Sequence, residues 1–153
     1  MLEGTIAINT PKHDFKNIKE AKDWAKSNIV GIYRNDDTGE DMRISNLAID
    51  KYLSKKAVEQ SASIAAHISA LKKIPSLIKT ALLKERAADK DNNIDIKEIW
   101  RLYGAIHYEN QTYPVKITVK VYKTEISKAY SYEVINIKTP PINDRVTHPI
   151  ELH

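Results

Sequence analysis

The segment from Thr112 to Tyr122 sets the strongest constraint, because Tyr113, Val115, Ile117, Val119 and Val121 fall on one side and Thr112, Lys116, Thr118, Lys120 and Tyr122 on the other. Period two with a single apolar side is the pattern of an antiparallel strand in a sheet covered on one face and wet on the other. Ile96 to Tyr108 reads as its partner strand, with Glu109-Asn110-Gln111 as the turn between them. A third strand is expected over Tyr130 to Lys138, stopped by Pro140-Pro141. These three segments make an antiparallel meander whose apolar face needs a cover.

The cover is expected to be helical. Ala57, Gln60, Ile64, Ile68 and Leu71 recur at helical spacing behind Ser54, a good N-cap residue. Pro75 suits the first turn of a further helix, which carries Leu77, Ile78, Ala81 and Leu82 on one face and frays near Ala87-Ala88. The five apolar residues of the Thr112–Tyr122 strand should pack beneath Ile64, Ile68, Leu77 and Leu82. Upstream, residues 1–14 read as irregular, and a short helix runs from about Asn17 to Ser27. A hairpin of Ile29–Arg34 and Asp41–Ser45 turns through Asn35–Glu40, and a helical stretch begins at Asn46. The fold class is therefore α+β: a helical segment packed on an antiparallel meander, with an N-terminal helix and hairpin. The chain is expected to form one domain, with a lead and helix over 1–28, the main body over 29–138 and an extended tail over 139–153.

Composition narrows the function classes. With 42% hydrophobic and 29% charged residues the chain is of globular type. It has no cysteine, which excludes a disulfide framework, a thiolate-held zinc and a thiol nucleophile. The N-terminus lacks the apolar core of a signal peptide, and no apolar run approaches a membrane span. A cytoplasmic location is expected, or action in a cytoplasm after delivery as part of something larger. The net charge of +4 leans weakly toward an anionic partner. No phosphate-cradling glycine loop and no G-x-S-x-G elbow is present. Asp89 to Glu98 imitates an EF-hand calcium loop in its alternating acids. However, it is two residues short of the required twelve and has no glycine for the sharp turn, so it reads as a turn between elements. His13, His148 and His153 match no metal spacing. No metal and no cofactor are expected.

The polar side of the meander carries the candidate chemistry. Trp100, Leu102 and Ile106 share one side of the first strand, while Arg101, Tyr103 and His107 share the other. Added to the second strand, the polar face gathers Arg101, Tyr103, His107, Lys116, Thr118 and Lys120. A planar guanidinium and two ammonium groups can neutralise phosphate. A histidine titrating near neutrality can move a proton, with Tyr103 and Thr118 as hydroxyl partners. Cleavage of RNA through its 2′-OH needs a base, an acid and cations, and no metal. The wet face of any antiparallel sheet also carries such residues, so a non-catalytic binding module and a purely structural domain stand beside the enzyme reading. His67 lies at the edge of the helical stripe, where one ring nitrogen bonded and the other in water is the simplest arrangement. It would join the site if its helix end approaches the sheet edge.

Several stretches together resemble a known family. They are Val30-Gly31-Ile32-Tyr33 through Asp37-Thr38-Gly39, and Arg43-Ile44-Ser45. Next come His67 ahead of Ile74-Pro75-Ser76-Leu77-Ile78, then Tyr113-Pro114-Val115-Lys116-Ile117-Thr118-Val119-Lys120, and finally Tyr130-Ser131-Tyr132-Glu133. Over roughly residues 29–138 the chain resembles the large polyvalent protein-associated domain 3 modules of phages and conjugative elements. Those modules are grouped with the barnase–EndoU–colicin–RelE-like nuclease fold. The resemblance implies helices followed by a sheet whose open face binds RNA, and metal-independent cleavage by His, Arg or Lys and hydroxyl residues. It also implies a toxin-type role, with an inhibitor or host protein as a further partner.

Overall fold

The structure, a computed structural model, describes residues 4–88, 95–122 and 130–137. Its described residues form an α+β architecture in which helices cover one face of a mixed sheet. Helix α1 (Ile18–Asn28) starts where the Asn17 side chain accepts the Glu20 N–H at 2.8 Å, and it turns Ala21 and Ala25 into the core. Strands β2 (Gly31–Arg34) and β3 (Asp41–Ile44) form the expected hairpin, with Tyr33 opposite Met42. Three serines then open three short helices. Ser45 caps α2 (Asn46–Tyr52), Ser54 caps α3 (Lys55–Gln60) and Ser63 caps α4 (Ile64–Ser69), each accepting the N–H three residues on. A 3₁₀ turn (Ala70–Lys73) leads into α5 (Ile74–Thr80), with Pro75 in its first turn.

The continuous helical stripe expected over 57–71 is therefore broken. Ser63 accepts the Ala66 N–H at 3.1 Å and restarts the helix, which changes the phase of the buried face. Ile64 is 53% exposed, while Val58, Ala66 and Leu71 are buried. The helix carrying Leu77 also stops early. Ala81 is extended, and Leu82–Ala87 forms strand β4 rather than a fraying helix end. A residue distant in sequence holds this stop in place. Buried Asn35 donates its side-chain amide to the carbonyls of Ile78 at 2.6 Å and Ala81 at 2.9 Å, groups that a helix end leaves open. The Asn35 carbonyl oxygen in turn accepts from the Thr38 N–H and hydroxyl.

β5 (Ile96–Tyr108) and β6 (Gln111–Tyr122) pair antiparallel along their whole length. Glu109 and Asn110 form the tight turn with φ of 47° and 68°, the positive values a two-residue hairpin turn demands. β7 (Tyr130–Ile137) completes the meander on the other side of β6. The meander is the centre of a larger mixed sheet, ordered β1-β5-β6-β7-β3-β2. The lead expected to be irregular supplies β1 (Ala7–Asn9), which runs parallel to β5, with Ala7 beside Ala105. β4 pairs antiparallel with β5 along the same edge, and β3 joins β7 in parallel. Such parallel joints link segments far apart in sequence and leave no local signature.

The inner face is apolar and buried. Val115, Ile117, Val119 and Val121 are buried as expected, with Tyr113 packed partly against the same core. Leu71, Ile74, Leu77 and Ile78 meet them from the helical side. Ile64 and Leu82 do not act as helical cover, since one is exposed and the other lies in β4. The segment 89–94, most of the calcium-like loop, and the expected tail 139–153 lie outside the described residues.

Candidate nucleic-acid interface

Residues directly opposite in a ladder point to the same face, so register fixes what the outer face carries. Across β5 and β6 the outer pairs are Ile99 with Lys120, Arg101 with Thr118, Tyr103 with Lys116, Ala105 with Pro114, and His107 with Thr112. All six meander residues singled out in the sequence thus stand on one sheet face. They do not converge on one point. At about 3.3 Å per residue, Arg101 and His107 lie about 20 Å apart along β5. Lys116 and Lys120 lie about 13 Å apart along β6, with Thr118 midway and Arg101 directly across from it.

The face therefore divides. At one end, Lys120, Arg101 and Lys116 surround Thr118. Toward the other end His107 is exposed, with Nδ1 3.3 Å from the Thr112 hydroxyl. The Arg101 side chain is 31% exposed and meets Glu85 at 3.1 Å, a surface pair contributing about 0–1 kcal/mol, so a phosphate would compete with that carboxylate. Lys116, Thr118, Lys120 and Tyr103 are half-buried. Ile99 is also on this face and only 6% exposed, so the row at Lys120 is not uniformly open.

A cation outside the set picked from the meander joins the cluster. Arg43 on β3 pairs with Ser131 of β7, which pairs with Lys120 of β6, so Arg43 shares the Lys120 row. It is exposed, between the buried Met42 and Ile44. The local signal was present in the alternation Asp41-Met42-Arg43-Ile44. What the sequence lacks is the parallel joint that carries β3 to the meander. One strand, β7, intervenes between Arg43 and Lys120, a separation of about 10 Å across the sheet.

His67 belongs to the other side of the sheet. It is 1% exposed, within the helical layer, rather than at a wet boundary. The Tyr52 ring covers it, centroids 4.0 Å apart and planes 14° from parallel. Its Nε2 lies 2.8 Å from the Tyr52 carbonyl, and the Tyr52 hydroxyl donates back to the His67 carbonyl. Burial pushes its pKa below the usual histidine value, against a smaller upward pull from the Tyr52 carbonyl. The structure does not bring it to the outer face.

A cavity of about 450 Å³ opens where the β2–β3 turn meets β4 and β5, lined in part by Asp37, Glu40, Arg86, Lys97, Glu98 and Trp100. Its groups engage one another. Arg86 stacks 4.7 Å from the Trp100 ring, Glu98 accepts the Trp100 indole N–H, and Asp37 accepts the Leu83 N–H at 2.9 Å. Among the described residues no group of three or more His, Cys, Asp or Glu is placed to hold a metal ion. No helix among them is long and apolar enough to cross a membrane.

The family model of large polyvalent protein-associated domain 3 matches residues 13–130. The chain belongs to this family. As a member, it is an accessory domain of the large polyvalent proteins of phages and mobile elements. Neither a curated protein nor a solved structure matches the chain. The matched region of this domain 3 member contains every residue of the outer-face cluster named above, together with His67 and His107.

Proposed function

We propose that this accessory domain binds RNA along the outer face of its sheet, with Arg43, Arg101, Lys116 and Lys120 neutralising successive phosphates. The observation that carries the reading is the spread of these cations over three successive rows around Thr118, with Arg43 and Lys120 sharing one. Rows about 7 Å apart suit a run of phosphates better than one. Tyr103, opposite Lys116, offers a ring on which a base can stack. Labelled single-stranded RNA and the purified domain test this. Binding should weaken as salt rises, because each phosphate contact releases a counterion. Arg43→Ala and Lys120→Ala should each reduce the salt slope by about one contact. An absence of RNA binding at low salt sinks the reading and favours a protein-interaction module.

The cleaving form of this reading is metal-independent transphosphorylation in a barnase-like nuclease fold, toxin-type in role. It rests on exposed His107 beside Thr112. There His107 takes the 2′-OH proton or returns one to the leaving oxygen, and Arg101, Lys116 and Lys120 hold the flanking backbone. The separation of about 20 Å between Arg101 and His107 supports binding over cleavage, because one scissile phosphate cannot draw on both ends. Incubating labelled RNA with and without chelator separates the two forms. Cleavage that survives chelator and is abolished by His107→Ala establishes the enzyme. Intact RNA under conditions of full binding leaves the binding form alone.

A further inference from the structure

His67 and Tyr52 hold α2 and α4 together by a reciprocal exchange, each side chain bonding the other's backbone carbonyl. Because Nε2 faces a carbonyl, it carries the proton, and Nδ1 is left as a bare lone pair. Nδ1 is buried and has no hydrogen-bond partner among the described residues. A second proton on this ring has only Nδ1 to go to, and there it would become a buried charged donor with no acceptor among the described residues. Burial strongly disfavours such a group unless the site opens.

Among the described residues, no buried charge stands by to compensate. The group facing His67 from α2 is Tyr52, whose hydroxyl burial holds in the neutral form. Among the described residues, the titratable groups on the elements nearby are Asp50 and Lys51 of α2, Lys55, Lys56 and Glu59 of α3, Lys72 and Lys73 of the 3₁₀ turn, and His13 and Asp14 of the segment whose His13 N–H bonds the Ser69 hydroxyl of α4. All are exposed or half-exposed. Asp50 is paired with Lys26 at 2.8 Å and Lys22 at 3.5 Å on α1. The Lys26 hydrogen bond holds its carboxyl below the usual carboxylate range, so Asp50 takes up its proton only in stronger acid.

We propose that the Tyr52–His67 clasp is an acid-released latch: a proton on His67 Nδ1 opens α2 and α4 while the β5–β6 hairpin stays folded. The sign follows from burial. In the opened segment the ring titrates near its ordinary value of about 6.5, while in the closed form it resists charging. The closed form keeps its full stability above that value and loses it as pH falls from there toward the lowered closed-state value. One proton taken up per opening changes the opening equilibrium by at most about tenfold per pH unit.

Hydrogen exchange of the full chain, followed from about pH 7 to about pH 5 and corrected for intrinsic exchange rates, reads this directly. Peptides covering 46–69 should gain up to about tenfold in opening per unit below 6.5, while peptides covering 99–119 hold steady. In His67→Gln, which cannot charge, the pH dependence of 46–69 should vanish. If that variant does not fold, the His67 ring nitrogen signals of the wild-type chain decide. A neutral Nε2–H ring while 46–69 remains protected supports the latch. A charged ring with 46–69 still protected overturns it, as does parallel opening of both regions or no dependence on pH.

Discussion

The two faces of the β5–β6 hairpin carry neighbouring residues of the same strands into opposite environments. Inward, Leu102, Ile106, Val115 and Val119 are 0% exposed. Outward, Arg101, Tyr103, Lys116 and Thr118 are half-buried and polar. Alternation lets one hairpin separate the residues that hold the fold from those available to a ligand, with a single peptide unit between them. The two internal histidines divide likewise. His67 is sealed under Tyr52 in the helical layer, and His107 is exposed beside Thr112. The first bears on stability, and the second is the proton-moving group only in the cleaving form of the proposal. Outer-face variants should therefore report on binding without reporting on folding.

The most direct way to break this comparison is on the inner face. Leu102 is fully buried opposite Ile117, so Leu102→Ala removes Cγ and both δ-methyl groups and leaves a cavity. A loss of about 2–5 kcal/mol in denaturant unfolding is expected. A loss below about 1 kcal/mol would mean that the helices do not cover this face closely. A smaller loss is expected from Asn35→Ala in the β2–β3 turn. It removes the donor to the Ile78 and Ala81 carbonyls and the acceptor for Thr38, at about 1–3 kcal/mol. Retention of full stability would show that the end of α5 is held by other contacts.

The same contrast explains what was legible. β5, β6 and the turn between them were readable because a periodic pattern and two turn residues are local properties. The N-cap Ser54 is local as well, since a cap is satisfied within three residues. The break at Ser63 was missed because its neighbours Ile64, Ile68 and Leu71 keep a helical spacing. The spacing does not reveal that Ile64 is turned to solvent. Leu82–Ala87 looked helical because Leu, Lys, Glu, Arg and Ala favour helix, and pairing with β5 overrode that preference. β1 and the β3–β7 joint are contacts between distant segments, which no window of sequence contains. For the candidate site, alternation placed the meander residues on one face. It could not show that Arg43 shares the Lys120 row, that His67 lies under Tyr52, or that His107 sits far from Arg101.

The sharpest comparison uses neighbours on β6. Val119 is 0% exposed on the inner face, and Thr118 is half-buried on the outer face. Val119→Thr and Thr118→Val are the same exchange of a methyl for a hydroxyl in opposite directions, nearly constant in volume. Val119→Thr brings a hydroxyl among Leu102, Ile117 and Trp100 in the core cluster, where desolvation without a partner costs about 1–3 kcal/mol. Thr118→Val removes a hydroxyl from a surface whose partners include water, and its effect on unfolding should stay within about 0.5 kcal/mol. On RNA the order should reverse. Val119→Thr, measured where it is folded, leaves the outer cations untouched and should bind as the wild type does. Thr118→Val removes the hydroxyl at the centre of the cation cluster and should weaken binding, while the salt slope stays unchanged because no charge is lost. Equal stability losses from the two variants would show that the outer face at Thr118 is covered as tightly as the inner one. The binding surface would then have to lie away from Thr118, toward Arg43 or toward His107.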